Sequence, residues 1–296
     1  MKEFFKIIRF FLRHPIGRRD FPGVMRRFMA WQFSQRLVSA PVLLPFVDGT
    51  SMLVKKGMTG ATGNYYLGLL EFEDMAFLLH MLRRGDLFVD VGSNVGAYSI
   101  LAAGVGKANA ISFEPAPAEA KVLKENVYLN SLQGEVSVRQ KAVGRQAGEV
   151  SFTTGLSSTN HVVTTGEHTT AKITVPVVTL DQELEATLPV VMKIDVEGYE
   201  WEVLHGASRV LGNPSLQAIV IELNQSGLRY GIEDTSIHQL LVEKGFTPVS
   251  YEPFSRALTV LATCNQVGNT IYVRDLEIAS QRVKSAQAFR LLQFSV

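Results

Sequence analysis

From Leu87 onward, short β-rich runs alternate with helix-like stretches, and this alternation constrains the fold more than any other feature of the chain. "DLFVDVG", "NAISFE", "VSVRQKAV", "VVMKIDV" and "QAIVIEL" read as five strands, and the segments after the first, second, fourth and fifth include helix-like stretches. Strands that alternate with helices predict a parallel, doubly wound sheet. Late in the chain, "FTPVSYE" and "GNTIYVRD" predict a hairpin at one edge. With 296 residues, 46% of them hydrophobic, the chain can build one large α/β domain plus an extension.

Around this core the spacing predicts a basic helical extension over residues 1–40, the α/β domain over 41–280 and a helical tail over 281–296. Residues 41–70, with glycines at 49, 57, 60, 63 and 68, read as short strands and turns, and a helix follows from about Glu71 to Arg84. Between the third and fourth strands, "GEVSFTTGLSSTNHVVTTGEHTTAKITVPVVTLDQEL" predicts an extra β-hairpin around a polar tip.

Charge is unevenly spread. Residues 1–36 hold nine Lys/Arg against two acids, a net of +7, so the total of +1 leaves −6 for the remainder. An acidic body argues against a nucleic-acid substrate, because phosphate binding needs a basic surface at the catalytic site. On a helical wheel Lys2, Lys6, Arg9 and Arg13 fall within about 60° of one another, opposite Phe4, Phe5, Ile8, Phe11 and Leu12. Such a helix either lies on an anionic membrane surface or packs its apolar face on the body or a second subunit. Apolar runs fall short of the roughly 18 residues that span a bilayer, and Lys6, Arg9 and Arg13 interrupt the place of a signal-peptide core. With the single cysteine, Cys264, expected in the core, the setting expected is reducing and cytoplasmic, peripheral to the membrane's inner face at most.

The stretch "LFVDVGSNVGAYSI" joins a strand to a glycine turn and a helix start, which offers free amides to a ligand. A dinucleotide fingerprint would need glycine at 92, 94 and 97, but positions 94 and 97 are Asn and Ala. Asp90, two residues before Gly92, would repel a pyrophosphate and suits a cationic group. S-adenosylmethionine carries an ammonium and a sulfonium and no phosphate. Glu114, at the end of the next strand, can accept hydrogen bonds from both ribose hydroxyls, a device NAD sites share. In "VVMKIDVEGYEWEVLHGA", Asp195 and Glu197 follow a strand and so face the ligand crevice, where a carboxylate can remove a hydroxyl proton, orient the hydroxyl or cap a helix. Lys193, in mid-strand, is expected to pair with an acid.

Together "FVDVGSNVGAYSI", "FEPAPAEAKVLKENVYLN", "KAVGRQAGEVSF", "VPVVTLDQEL", "MKIDVEGYEWEVLHGA" and "GNTIYVRD", in this order, resemble the FkbM family of S-adenosylmethionine-dependent methyltransferases over about residues 65–275. The family typically has Ala at 93 and Ile at 95, where this chain has Ser93 and Val95. The resemblance implies a class I methyltransferase (Rossmann-like) sheet of seven strands with a reversed last strand, and methylation of a hydroxyl on a sugar, glycan, glycolipid or secondary metabolite. It places Asp90, Gly92, Asn94 and Gly96 at the methionine part of S-adenosyl-L-methionine, Glu114 at its ribose, and Asp195 and Glu197 near methyl transfer. No metal is required, although Asp195 and Glu197 could hold a divalent ion. His161, at the insertion tip, is a second candidate base. Tyr65, Tyr66 and Glu71 are candidates for stacking or hydrogen bonding over the cofactor, whereas His205 and His238 read as structural. Two other readings are an RNA or protein methyltransferase, and a non-catalytic cofactor-binding member acting through the N-terminal helix.

Overall fold

The structure is a computed structural model that describes residues 2–37, 40–156, 159–164, 166–167 and 171–296, without the side chains of residues 2 and 3. The place of Lys2 in the basic arc and part of the insertion's polar tip therefore lie outside the described residues.

Three helices open the chain: α1 (Lys2–Arg13), α2 (Pro15–Arg19) and α3 (Phe21–Leu37). A hairpin of β1 (Val42–Pro45) and β2 (Ser51–Val54) leads to α4 (Thr59–Leu67) and α5 (Phe72–Met81). The α/β body then runs β3 (Leu87–Val91), α6 (Ala97–Ile100), β4 (Asn109–Phe113), α7 (Pro117–Leu129) and β5 (Val136–Arg139). Next come β6 (Ala142–Val143), β7 (Gly148–Thr153), β8 (Lys172–Val178), α8 (Leu180–Glu183), β9 (Val191–Ile194), α9 (Glu200–His205) and α10 (Ser208–Gly212). The last part holds β10 (Ala218–Glu222), α11 (Asp234–Glu243), β11 (Thr247–Glu252), β12 (Ala257–Val260), β13 (Asn269–Val273), α12 (Leu276–Ser285), β14 (Arg290–Leu291) and β15 (Phe294–Ser295).

The main sheet has the order β12-β11-β13-β10-β9-β3-β4-β5, with β13 antiparallel to both neighbours. This is the expected class I methyltransferase architecture, with eight strands where seven were expected. The addition is β12, whose side chains are mostly exposed at the sheet edge and so carry little hydrophobic signal. Alternation along the strands feeds two cores: Phe88, Ala218 and Val220 enter one, and Val89, Val91, Ile219 and Ile221 enter the other.

Three further expectations change. "VSVRQKAV" is not one strand: a turn closed by the Lys141 amide on the Arg139 carbonyl divides it, sending β5 to the main sheet and β6 to a small sheet with β8 and β7. Residues 59–67 are helical despite Gly60 and Gly63, because Ala61, Tyr66 and Leu67 bury against the N-terminal aromatic side chains. The tail is helical only to Ser285; beyond it β14 and β15 pair, and Phe289, Leu291 and Val296 bury in the core.

The N-terminal helices are clamped to the body. Phe11 and Phe28 pack edge-on to each other at 5.7 Å and onto Tyr66 at 5.9 and 5.4 Å. Arg27 donates to the Tyr66 carbonyl at 2.7 Å and pairs with Asp20 at 3.0 Å. His14 reaches the Leu69 carbonyl at 2.9 Å, and burial lowers its pKa to about 4. Of the five residues on the expected apolar side of α1, only Phe11 is buried. Among the described residues no helix is long and apolar enough to cross a membrane.

Candidate active site

The turn after β3 is built by its neighbours. Gly92 (φ +82°) lies where a Cβ would come within 1.7 Å of the Asp195 carbonyl, so the chain cannot pass between β3 and β9 with any side chain there. Asn94, in the left-handed region at φ 49°, turns its side-chain oxygen onto the Val95 amide at 2.7 Å. Glu114 at the end of β4 ties the turn down, accepting from the Asn94 and Ala116 amides at 2.8 Å each. Burial nevertheless raises its pKa to about 8 against those two bonds.

Strand register sets the next layer. Asp90 is paired across the sheet with Ser112 on one side and Lys193 on the other. Asp90 accepts from Ser99 Oγ at 2.6 Å, and burial raises its pKa to about 6 while Lys193 opposes the shift. Lys193 reaches Asp195 at 2.6 Å and lies 4.7 Å from the centroid of the Tyr98 ring. Burial works against the charge of this ammonium, but Asp195, Glu71 and Asp90 outweigh it and hold its pKa above the ordinary value. Tyr98 in turn donates to Glu71 at 2.5 Å.

Beyond Asp195 the chain turns through Glu197, at φ 55°. Glu197 does not cap the helix that follows, whose N-cap position, Tyr199, makes no side-chain bond; Glu200 ties the preceding turn instead, its Oε1 accepting from the Val196 and Gly198 amides at 3.1 Å each. Glu197 is left lining the cavity, its pKa raised to about 7 by burial and by Asp195. Glu222, at the end of β10, completes the group: one oxygen each of Asp195, Glu197 and Glu222 lie within 4.8 Å of one another. Burial, then Asp195 and Glu197, raise the Glu222 pKa to about 9, and its Oε2 has no hydrogen-bond partner among the described residues. These three could hold a divalent ion, a cluster that the expectation of no dedicated metal site did not include. Sequence reasoning missed Glu222 because it lies on a different strand. Its only signal was a carboxylate ending the apolar run "AIVIE".

All of this opens onto one cavity of about 820 Å³, within the usual range for small-molecule sites. Asp90, Gly92, Asn94, Glu114, Asp195 and Glu197 line it, as do Tyr66 and Glu71. Gly96 starts α6 beside it, at φ +89°. The insertion reaches the cavity through Phe152, Asn160 and Val162, while the His161 ring turns to Glu167 Oε1 and the Thr159 carbonyl, both at 2.9 Å. His161 does not line the cavity and both its ring nitrogens are engaged outside it, although the ring is near enough to act electrostatically on Glu197. His205 bonds the Trp201 carbonyl and His238 the Tyr272 hydroxyl, in keeping with structural roles. Seven carboxyl groups (Glu71, Asp90, Glu114, Glu119, Asp195, Glu197 and Glu222) and two lysines (Lys141 and Lys193) line the space. Glu114 and Glu222 hold protons at neutral pH, and the five other carboxyl groups still outnumber the two lysines, a balance that suits a cationic ligand and disfavours a phosphate.

Comparison with known proteins bears on the same residues. A family model described as the methyltransferase FkbM domain matches residues 90–248. The hexuronic acid methyltransferase AglP of Haloferax volcanii is 30% identical over 175 residues, covering 58% of this chain and 68% of that protein. Among solved structures, the SAM-dependent methyltransferase from Agrobacterium tumefaciens is 11% identical with a TM-score of 0.44, covering 80% of this chain and 72% of that one. The C-terminal domain of precorrin-6Y C5,15-methyltransferase from Rhodobacter capsulatus is 14% identical with a TM-score of 0.40, covering 69% and 88%.

Proposed function

From the premise that this chain belongs to the FkbM methyltransferase family, we propose that it is an S-adenosylmethionine-dependent O-methyltransferase acting on a sugar hydroxyl of a small molecule or glycan. One observation carries the reading: the cavity that holds the strand-end turn is lined by seven carboxyl groups against two lysines. The cofactor's ammonium and sulfonium fit that donor set, whereas a dinucleotide's pyrophosphate does not. Asp90 and the turn from Gly92 to Gly96 receive the methionine end, and Glu114, which keeps lone pairs beyond its two amide bonds, receives the ribose hydroxyls. The sugar acceptor is supported by the likeness to a hexuronic acid methyltransferase and by an acidic cavity that repels nucleic-acid phosphate.

When bound, the cofactor supplies an electrophilic methyl group. Glu197, whose pKa near 7 is matched to neutral pH, takes the proton of the acceptor hydroxyl as its oxygen is methylated. Asp195, fixed by Lys193, accepts a hydrogen bond from the same or a neighbouring hydroxyl and aligns it. Calorimetry and turnover test this assignment together. Glu197→Gln is expected to bind S-adenosylmethionine as the wild type does and to lose about 100-fold or more in kcat, as removal of a general base does. In the wild type, kcat is expected to rise with pH through about 7. Full turnover in Glu197→Gln removes it as the base; equal cofactor affinity in wild type, Asp90→Ala and Glu114→Ala removes the cofactor site.

A further inference from the structure

The two faces of α1 and α3 are used differently. At about 100° per residue, Val24, Phe28 and Trp31 share a strip about 60° wide on α3, and all three are buried. On the opposite side Arg26, Met29, Phe33, Arg36 and Leu37 fall within about 100°, and all are exposed, Phe33 at 65% and Leu37 at 71%. In α1, Phe11 points inward at 1% exposure, while the exposed Lys6, Arg9 and Arg13 are flanked by Phe5 and Leu12 on one side and Phe10 on the other. Because Phe11 and Phe28 press on the same Tyr66 ring, both helices turn these aromatic and basic faces away from the body. Bulky apolar side chains interleaved with arginine are the composition of a helix lying in a membrane interface, and ordinary solvated helices do not expose Phe and Leu at this density.

Charge selects the kind of surface. The segment carries +7 over residues 1–36, and one of its two acids, Asp20, is already held by Arg27. The remaining chain carries −6, so an anionic plane attracts this face and repels the rest, which fixes an orientation. The cavity wall includes Ile7, Phe10 and Phe11 of α1 and Phe28 and Gln32 of α3. Phe10 belongs to both the wall and the exposed face, at 46% exposure, so the two surfaces are continuous.

We infer that the outer faces of α1 and α3 dock on an anionic phospholipid bilayer and hold the cavity mouth there, so that the acceptor is a membrane-borne glycan. The acceptor part of this inference rests on the sugar methyltransferase reading above; the docking part does not.

Flotation of the full chain with vesicles of phosphatidylglycerol and phosphatidylcholine, and with phosphatidylcholine alone, tests the docking. Binding is expected to the anionic vesicles, to weaken with salt, and to fall at least about tenfold in Phe5→Ser/Phe33→Ser/Leu37→Ser and in Arg9→Glu/Arg13→Glu/Arg36→Glu. These side chains are exposed, so S-adenosylmethionine affinity by calorimetry is expected to stay unchanged in both variants. Absence of wild-type flotation, or variants that float like the wild type, overturns docking. A dimer in sedimentation velocity that the same substitutions split overturns it too, and assigns the face to a second copy. Labelled methyl transfer is then compared between a glycolipid extract in anionic vesicles and the water-soluble glycans of the same cells; label in the soluble fraction alone overturns the acceptor claim. Absence of cofactor binding in the wild type overturns the methyltransferase reading and leaves the vesicle result standing.

Discussion

Lys193 shows how one residue can be conspicuous in a sequence and yet only partly explained there. A lysine in "VVMKIDV" is out of place in an apolar run and predicts an acidic partner; Asp195, two residues on, lies within 2.6 Å, and register adds Asp90 on the neighbouring strand. Lys193→Met would leave buried Asp90 and half-buried Asp195 without their cation. It is expected to cost about 3–5 kcal/mol, read from urea midpoints, as removal of one partner of a buried ion pair does. Glu222 behaves in the opposite sense. Its folded pKa near 9 lies above the ordinary 4.5, so its contribution to stability is complete below 4.5 and disappears as pH rises through 9. The substitution Glu222→Gln puts a neutral amide in place of the protonated acid. The variant is therefore expected to melt close to the wild type at pH 5 and above it at pH 9, and an equal difference at both would refute the assignment. Gly92→Ala combines a positive φ with a clash on the Asp195 carbonyl and is expected to lose well over about 1 kcal/mol and cofactor affinity together.

At the level of elements, the strands and helices of the body were legible because hydrophobic periodicity is local. The register of "NAISFE" against "LFVDVG" was not, since it depends on which neighbour each strand meets. α4 was misread because Gly60 and Gly63 argue for turns, and tertiary burial of Tyr66 and Leu67 overrides them. The same aromatic cluster makes the N-terminal extension part of the site: Phe28→Ala is expected to cost about 3–5 kcal/mol in chemical denaturation and to raise the acceptor KM, because Phe28 also lines the cavity. The insertion delivers Phe152, Asn160 and Val162 to the cavity; the candidate His161 sits between two of them and points away. Which of three adjacent residues faces a ligand is a half-turn of backbone, below what a loop sequence specifies.

For the whole molecule, the concentration of acids in one cavity sets the pH dependence. From about pH 4.5 up to about 8 for Glu114 and about 9 for Glu222, these groups retain protons in the folded chain that they have lost in the unfolded one, because their folded pKa values lie above the ordinary 4.5. Stability of the cofactor-free protein is therefore expected to fall over that range in thermal melts. His14 and His80 oppose that fall at its acid end: buried and neutral with pKa values near 4, they favour folding as pH rises from 4 towards 6.5, so the net fall is expected above about 6.5. A cationic ligand relieves the crowding of carboxylates, so the rise in Tm on adding S-adenosylmethionine is expected to be larger at pH 8 than at pH 6. Dialysis against EDTA addresses the Asp195, Glu197 and Glu222 cluster; with Lys193 already against Asp195 and a proton held by Glu222, turnover is expected to survive it.

The amino-acid sequence by itself determined the α/β alternation, the glycine turn, the carboxylates Asp90, Glu114, Asp195 and Glu197 at strand ends, and the charge contrast between extension and body. Each depends on residue type and spacing within a few positions. Only the tertiary structure decided that Glu222 joins Asp195 and Glu197, that Lys193 stands across the sheet from Asp90, and that α1 and α3 wall the cavity. These facts join residues that sequence distance separates, and they follow from strand register and from burial of the Phe11, Phe28 and Tyr66 cluster, which act only once the chain has folded.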